Sequence, residues 1–207
     1  MTTTPTRALP VTAALLLLAV STALAQSMAA GTAKNVVGGA LLVVRADGVE
    51  TRLRGRGTLR VFEGDTLKME GKGKALIETD EGTQLALNGD SVVQIQSRWE
   101  KDAGVTRIVR MQRGEVWAKI GDSRRGLEIE TPVGVLAARA AEINVRLVSD
   151  NEAVATVVTG VGEFSTPSAA CELRAGTMSF GHRSQACTPP AATDVRTVIG
   201  WSRPLLP

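Results

Sequence analysis

Cys171 and Cys187, with His182 between them, are the residues of this 207-residue chain whose types and spacing most readily support chemistry. A thiolate and an imidazole can form a nucleophile pair, but such a pair also needs an orienting group and a pocket, which a sequence does not display. Zinc wants four ligands, and two cysteines with one histidine fall short of that set. In an oxidising compartment an even pair of cysteines reads as a disulfide. Closing a loop of about 16 residues would then contribute about 3 kcal/mol in the chain-entropy model. Free thiols are the alternative.

Other catalytic arrangements are no better supplied. Paired carboxylates can do acid–base work without histidine, but Glu128, Glu130 and Glu142 alternate with aliphatic residues and so fall on the wet side of strands. There is no glycine-rich phosphate cradle, no Gly-x-Ser-x-Gly and no His-Glu-x-x-His. The oxygen-rich stretches "DGVET" (47–51) and "NGDS" (88–91) lack the spacing of a calcium loop and read as turns. No catalytic residue, cofactor or metal is therefore assigned.

Binding chemistry is better represented. "RLRGRGTLR" places Arg52, Arg54, Arg56 and Arg60 at even spacing, on one face if the segment is extended. Such a strip suits an anionic surface, or else is a solvated strand face. Trp117 shares the parity of Glu115 and Lys119 rather than that of Val116, Ala118 and Ile120, so it is a candidate exposed anchor unless a second layer, such as the tail with Trp201, covers it. Trp99 lies in the charged turn "SRWEKD". Arg139 stands in the small-residue stretch "VGVLAARAA". It either reaches out from an edge or is buried with an acid, for which Asp65 or Glu78 are candidates. It serves either as a tie between adjacent strands or as a partner contact.

The elements that must position these groups have a two-residue rhythm. Val93 and Ile95, Val109 and Met111, Val116, Ala118 and Ile120, Leu127 and Ile129, and Ile143, Val145 and Leu147 each face one way against polar neighbours. That alternation is the mark of half-buried strands. Gly64-Asp65, Glu81-Gly82, Asn88-Gly89-Asp90, Ser149-Asp150-Asn151 and Gly160 supply turns between them. Strands recurring every 8–12 residues or so predict an all-β sandwich or wound β structure. Aromatics make up only 3% of the chain, so the core must be aliphatic.

The N-terminus predicts export. Arg7, the apolar run Val11–Val20 and the Ala23-Leu24-Ala25 step match a signal helix with cleavage between Ala25 and Gln26. The apolar run is short for a membrane span. The expectation is a periplasmic protein without a span after cleavage, the uncleaved anchor being the alternative. Removing Arg7 leaves 23 Lys and Arg against 21 Asp and Glu, a balance that, with export, argues against nucleic acid. The divisions expected are a signal peptide over 1–25, a flexible lead over 26–36, a β domain over 37–182 and a tail over 183–207 held by the cysteine pair.

The order of the motifs resembles a known family. "FEGDTL" (62–67), "DEGTQLAL" (80–87), "NGDSVVQI" (88–95), "QRGEVWAKI" (112–120), "ETPVGVLAARAAEINVRL" (130–147), "VVTGVGEFST" (157–166) and "LRAGTMSFG" (173–181) follow one another as in the FecR domain of exported bacterial proteins. The resemblance runs from about Val37 to His182. It departs from the family at Arg139-Ala140-Ala141, where Arg-Gly-Thr is favoured, so the local turn is expected to differ. The resemblance implies a wound β fold, a β-solenoid or jelly-roll-like sandwich. Signalling members of that family relay receptor occupancy to a cytoplasmic sigma factor through a cytoplasmic helical domain and a membrane span. Neither part is visible in this sequence. The expectation is a stand-alone, non-catalytic binding or scaffolding protein whose partner is an envelope protein or cell-wall component. The alternative is a glycan or small-ligand module, which Trp99 and Trp117 lining one groove would favour.

Overall fold

The structure, a computed structural model, describes residues 28–100, 104–121 and 126–206. The strands are β1 (Ala29–Val44), β2 (Glu50–Phe62), β3 (Thr66–Glu70), β4 (Lys74–Thr79), β5 (Gln84–Leu87), β6 (Val92–Glu100), β7 (Gly104–Lys119), β8 (Gly126–Glu130), β9 (Val135–Ser149), β10 (Glu152–Ser165), β11 (Ala170–Arg174), β12 (Thr177–His182) and β13 (Ala191–Ala192). One short helix, α1 (Val195–Ile199), and a 3-10 turn over Arg203–Leu205 follow. The expected all-β class is what the chain adopts. The signal segment lies outside the described residues.

The five long strands explain the architecture. Each of β1, β7, β9 and β10 pairs with one set of neighbours along its first half and another along its second, while β2 follows β1 along both halves. In β1, residues 31–34 pair with β4 whereas 40–44 pair with β3. In β7, residues 104–113 pair with β6, and 114–119 pair with β5 and β9. In β10, residues 152–157 pair with β12 and 161–165 with β11. One sheet therefore runs β2-β1-β4-β5-β7-β9-β10-β12-β13 and the other β2-β1-β3-β6-β7-β8-β9-β10-β11. Because β1 and β7 belong to both, β1-β3-β6-β7-β5-β4 close into a six-stranded ring. The β7–β8 pairing is parallel and all others are antiparallel.

Each long strand crosses between sheets at a backbone position with positive φ: Asn35 and Gly38 in β1, Gly55 in β2, Gly114 in β7, Ala140 in β9 and Gly160 in β10. A left-handed residue sharply bends an extended chain, and glycine does so without a Cβ penalty. At Gly114 the demand is also spatial, since a Cβ there would lie 2.4 Å from the Cα of Ser91. Asn35 and Ala140 are the exceptions, and asparagine tolerates this region better than alanine. Ala140 holds φ 44° where the resembling family favours glycine, so the alanine carries the strain of a left-handed residue.

The interior lies between the two sheets. Leu41, Leu67, Ile77, Leu85, Ile95, Val109, Val116, Ile129, Leu136, Ile143, Val145 and Phe164 belong to one continuous aliphatic cluster. Ile95, Val109, Val116, Ile129, Ile143 and Val145 follow the predicted parity because only one face of each half-strand meets the opposite sheet. The lead expected over 26–36 differs: from Ala29 it is strand, with Ala30 and Ala33 buried against the core. Small residues are what that close packing requires. Gly31 faces the Glu78 carbonyl so closely that a Cβ would sit 2.4 Å from it.

Candidate functional site

The arginine strip lies on β2, which among the described residues pairs only with β1 and so forms an open edge of the described sheet. Arg52, Arg54, Arg56 and Arg60 are all exposed. Arg52 meets Glu70 at 2.7 Å, and Arg60 meets Asp80 at 2.7 Å. Arg54 and Arg56 flank Gly55 at the corner and make no ion pair with the described residues. Cations and a bent backbone are devices that keep an edge strand from indiscriminate pairing.

Arg139 is exposed at the end of the first half of β9, opposite Val161 and Gly126. It lines a shallow cleft of about 330 Å³ with Glu128, Glu163 and Glu172. Of the two alternatives, the exposed one holds, and the buried one, with Asp65 or Glu78 as its acid, is corrected. Asp65 is engaged by Arg45 and the Phe62 amide, and Glu78 by Lys34.

The buried charge is Arg107 instead, which sequence reasoning placed at the start of a strand without remark. It is only 5% exposed and shares the inward parity of Val109 and Met111. Its guanidinium reaches Glu81 in the β4–β5 turn with two bonds, at 2.7 and 2.8 Å. It also donates to the Ser97 hydroxyl at 2.6 Å. Burial by itself would raise the Glu81 pKa, but the hydrogen bonds and charge of Arg107 outweigh it and hold the carboxyl below its ordinary value. The same pairing raises the guanidinium of Arg107 against the opposing effect of burial. An arginine at core parity was the available signal.

Trp117 points away from the core, as its parity predicts, but it is not exposed. It is 0% accessible, and its indole N–H donates to Glu142 at 2.8 Å. The C-terminal tail covers it. Leu76, Ala86, Trp117, Ile199 and Leu205 form a second apolar cluster outside the first sheet. Trp117 is therefore corrected from partner anchor to packing residue. Trp99, at 72% exposure near the end of β6, does not share a groove with it.

The tail reaches that face because it is tied down. Cys171 of β11 and Cys187 form a disulfide. Ser179 then donates to the Thr188 carbonyl at 2.6 Å, and β13 pairs with β12. Asp194 caps α1 by accepting from the Arg196 amide and the Thr197 hydroxyl, and those bonds hold its carboxyl below the ordinary value. His182 sits at the end of β12 and pairs through its backbone with Glu152. No group of three or more possible metal ligands exists among the described residues.

Between the tail and the sheet lies a cavity of about 450 Å³, lined in part by Asn144, Thr156, Met178, Phe180, Val198 and Trp201. Sequence reasoning missed it. Its floor comes from β9, β10 and β12 but its roof from a segment more than forty residues beyond Asn144, which local periodicity does not connect.

The pairing order and the corners define an all-β domain. Residues 65–161 match the family model described as FecR protein. The match begins at Asp65 and ends at Val161, leaving β1, β2, β11 to β13 and the tail outside it. No curated protein matches by sequence. Two crystal structures of a "putative anti-sigma factor" from Parabacteroides distasonis ATCC 8503, at 1.65 and 2.50 Å resolution, share the fold. Both superpose with a TM-score of 0.57, at 18% and 17% identity, over 66% of this chain. The chain spans 64% and 63% of the length of those two structures.

Proposed function

We propose that this protein is an exported, non-catalytic FecR-type binding protein of the bacterial envelope, which docks a protein partner along β2 as part of a signal relay. The observation that carries the reading is the free edge of β2, with Arg54 and Arg56 unmatched by acids of the described chain and projecting beside unpaired backbone groups. An extended acidic segment of a partner would add a strand there, its backbone supplying affinity and its carboxylates the register. The FecR match supports the relay role, and the sequence features at Arg7 to Ala25 support export to the periplasm with cleavage after Ala25.

Two measurements test this. Fractionation with N-terminal sequencing of the mature protein should place it in the periplasm beginning at Gln26. Photo-crosslinking from position 54 or 56 in intact cells should trap one envelope protein, and Arg54→Glu with Arg56→Glu should abolish the adduct. A cytoplasmic protein, or adducts unchanged by the charge reversal, would remove the proposal.

A further inference from the structure

The cavity under the tail has a floor whose chemistry changes along one cross-strand row. Leu76, Ala86, Trp117, Asn144, Thr156 and Met178 lie directly opposite one another on consecutive strands β4, β5, β7, β9, β10 and β12. All project from the outer face of the first sheet. The first three are covered by Ile199 and Leu205 of the tail. Over Asn144 and Thr156 the tail does not close, and the cavity remains.

Asn144 is 2% and Thr156 1% exposed, so both are buried in the floor. Asn144 Oδ1, Thr156 Oγ1 and the Trp201 indole Nε1 are the three buried side-chain polar atoms without a hydrogen-bond partner among the described residues, and all three residues line this cavity. A buried, unmatched polar group costs about 1–3 kcal/mol. Three around one space are a set rather than an accident of packing. The orientation of the Asn144 amide is fixed, because its Nδ2 donates to Glu115 Oε1 at 2.9 Å. Flipping it would set a carbonyl oxygen against a carboxylate, which only accepts. The second oxygen of Glu115 is taken by Asn88 at 2.8 Å.

The free groups therefore ask for complementary chemistry. Asn144 Oδ1 needs a donor, the indole N–H needs an acceptor, and the Thr156 hydroxyl takes either role. Val154, Met178, Phe180 and Val198 supply apolar wall beside them. A volume of about 450 Å³ lies within the usual range for ligand pockets. We infer that this cavity is a binding site for a small uncharged ligand bearing a secondary amide: its N–H bonds Asn144 Oδ1, its carbonyl accepts from Trp201 Nε1, and its alkyl substituent lies against Met178 and Val154. An N-acetylated amino sugar and a short acylated peptide both present that group. The inference is independent of the β2 proposal, since the two sites use different strands and different faces.

The test is ¹⁵N NMR of the folded full-length mature protein, following the Trp201 indole resonance, assigned with Trp201→Phe. The probes are di-N-acetylchitobiose, N-acetyl-alanine methylamide and glucose. Saturable shifts of that resonance with either amide probe, and none with glucose, are expected, and which amide probe binds tighter identifies the source. Thr156→Val, nearly isosteric, and Trp201→Phe, which removes the indole N–H, should weaken the calorimetric affinity at least tenfold, whereas Trp99→Phe should not. Absence of saturation by both amide probes would overturn the inference and leave the three groups to buried water. Equal binding of glucose would overturn the amide assignment. Should one variant fail to fold, the wild-type resonance shift still decides.

Discussion

The outer faces of the two sheets share five long strands and have opposite fates. On the first sheet the row from Leu76 to Met178 is apolar or neutral and lies beneath the disulfide-tethered tail. On the second, the outward residues pair as charges across strands: Arg98 with Glu128, Arg110 with Glu130, and Arg52 with Glu70. The five corners make this difference possible, because one long strand presents its first half to one environment and its second half to another. In β7, Arg110 meets water and Trp117, seven residues later, meets the tail. Alternation alone reports which residues face outward. It does not report whether outward means wet.

The strongest way to break the comparison is Trp117→Ala. Removing a fully buried indole costs about 3–5 kcal/mol, and here its bond to Glu142 goes as well. Chemical denaturation should show a loss of that size. Limited proteolysis should then cut the tail between Thr193 and Leu206, because its docking surface has gone. A loss below about 1 kcal/mol would mean that the tail merely rests on the sheet.

The next largest effect lies between the sheets. Arg107 spans from the second sheet to Glu81 of the first, and Glu81→Ala leaves a guanidinium buried without its main partner. Breaking such a pair costs about 3–5 kcal/mol, tempered here by Glu63 at 3.4 Å. The pH dependence follows the sign of the shift. The folded carboxyl is held below its ordinary value of 4.5, so its contribution is complete above that pH and is lost as pH falls through the depressed folded value. Acid titration of stability should be steeper in the wild type than in Glu81→Ala.

How much of this was legible in the sequence depends on the range of the interaction. Parity placed Val93, Ile95, Val109, Ile129 and Val145 in the core because a strand's faces are fixed by its own backbone. The corners were partly legible. Gly160 was read as a turn, whereas Asn35 fell in a stretch read as a flexible lead, since nothing local shows that Ala30 and Ala33 pack against β4. The cover over Trp117 was open to the sequence only as an alternative, and the cavity beside it not at all, because both depend on where a segment eighty residues downstream is pinned. Ala140 is the instructive middle case. The resemblance flagged the residue, and the structure places the alanine itself in the left-handed conformation, near the register shift around Thr159.

That observation yields a smaller prediction. A left-handed alanine costs about 1–2 kcal/mol, and glycine loses about 0.5–1 kcal/mol more backbone entropy on folding. Ala140→Gly should therefore stabilise the protein by up to about 1 kcal/mol, seen as a higher denaturation midpoint with an unchanged slope. The effect concerns the corner shared by both faces and should leave the tail's protease resistance unaltered. Destabilisation would show that the methyl group contributes packing greater than the strain.

The smallest effect is the sharpest test of what the open face is. Arg110 meets Glu130 at 2.6 Å across β7 and β8, yet about half of the arginine side chain is accessible to water. Exposed pairs of this kind contribute about 0.2–1 kcal/mol, because solvent screens the attraction and two long side chains lose freedom. A double-mutant cycle with Arg110→Ala and Glu130→Ala should return a coupling in that range. It should shrink towards zero at about 1 M salt, where the screening length falls to about 3 Å. A coupling above about 2 kcal/mol that survives salt would mean the pair sits in a low-dielectric environment. The second face would then be organised much like the first, and the contrast between a covered sheet and a solvated one would fail at the strand that both share.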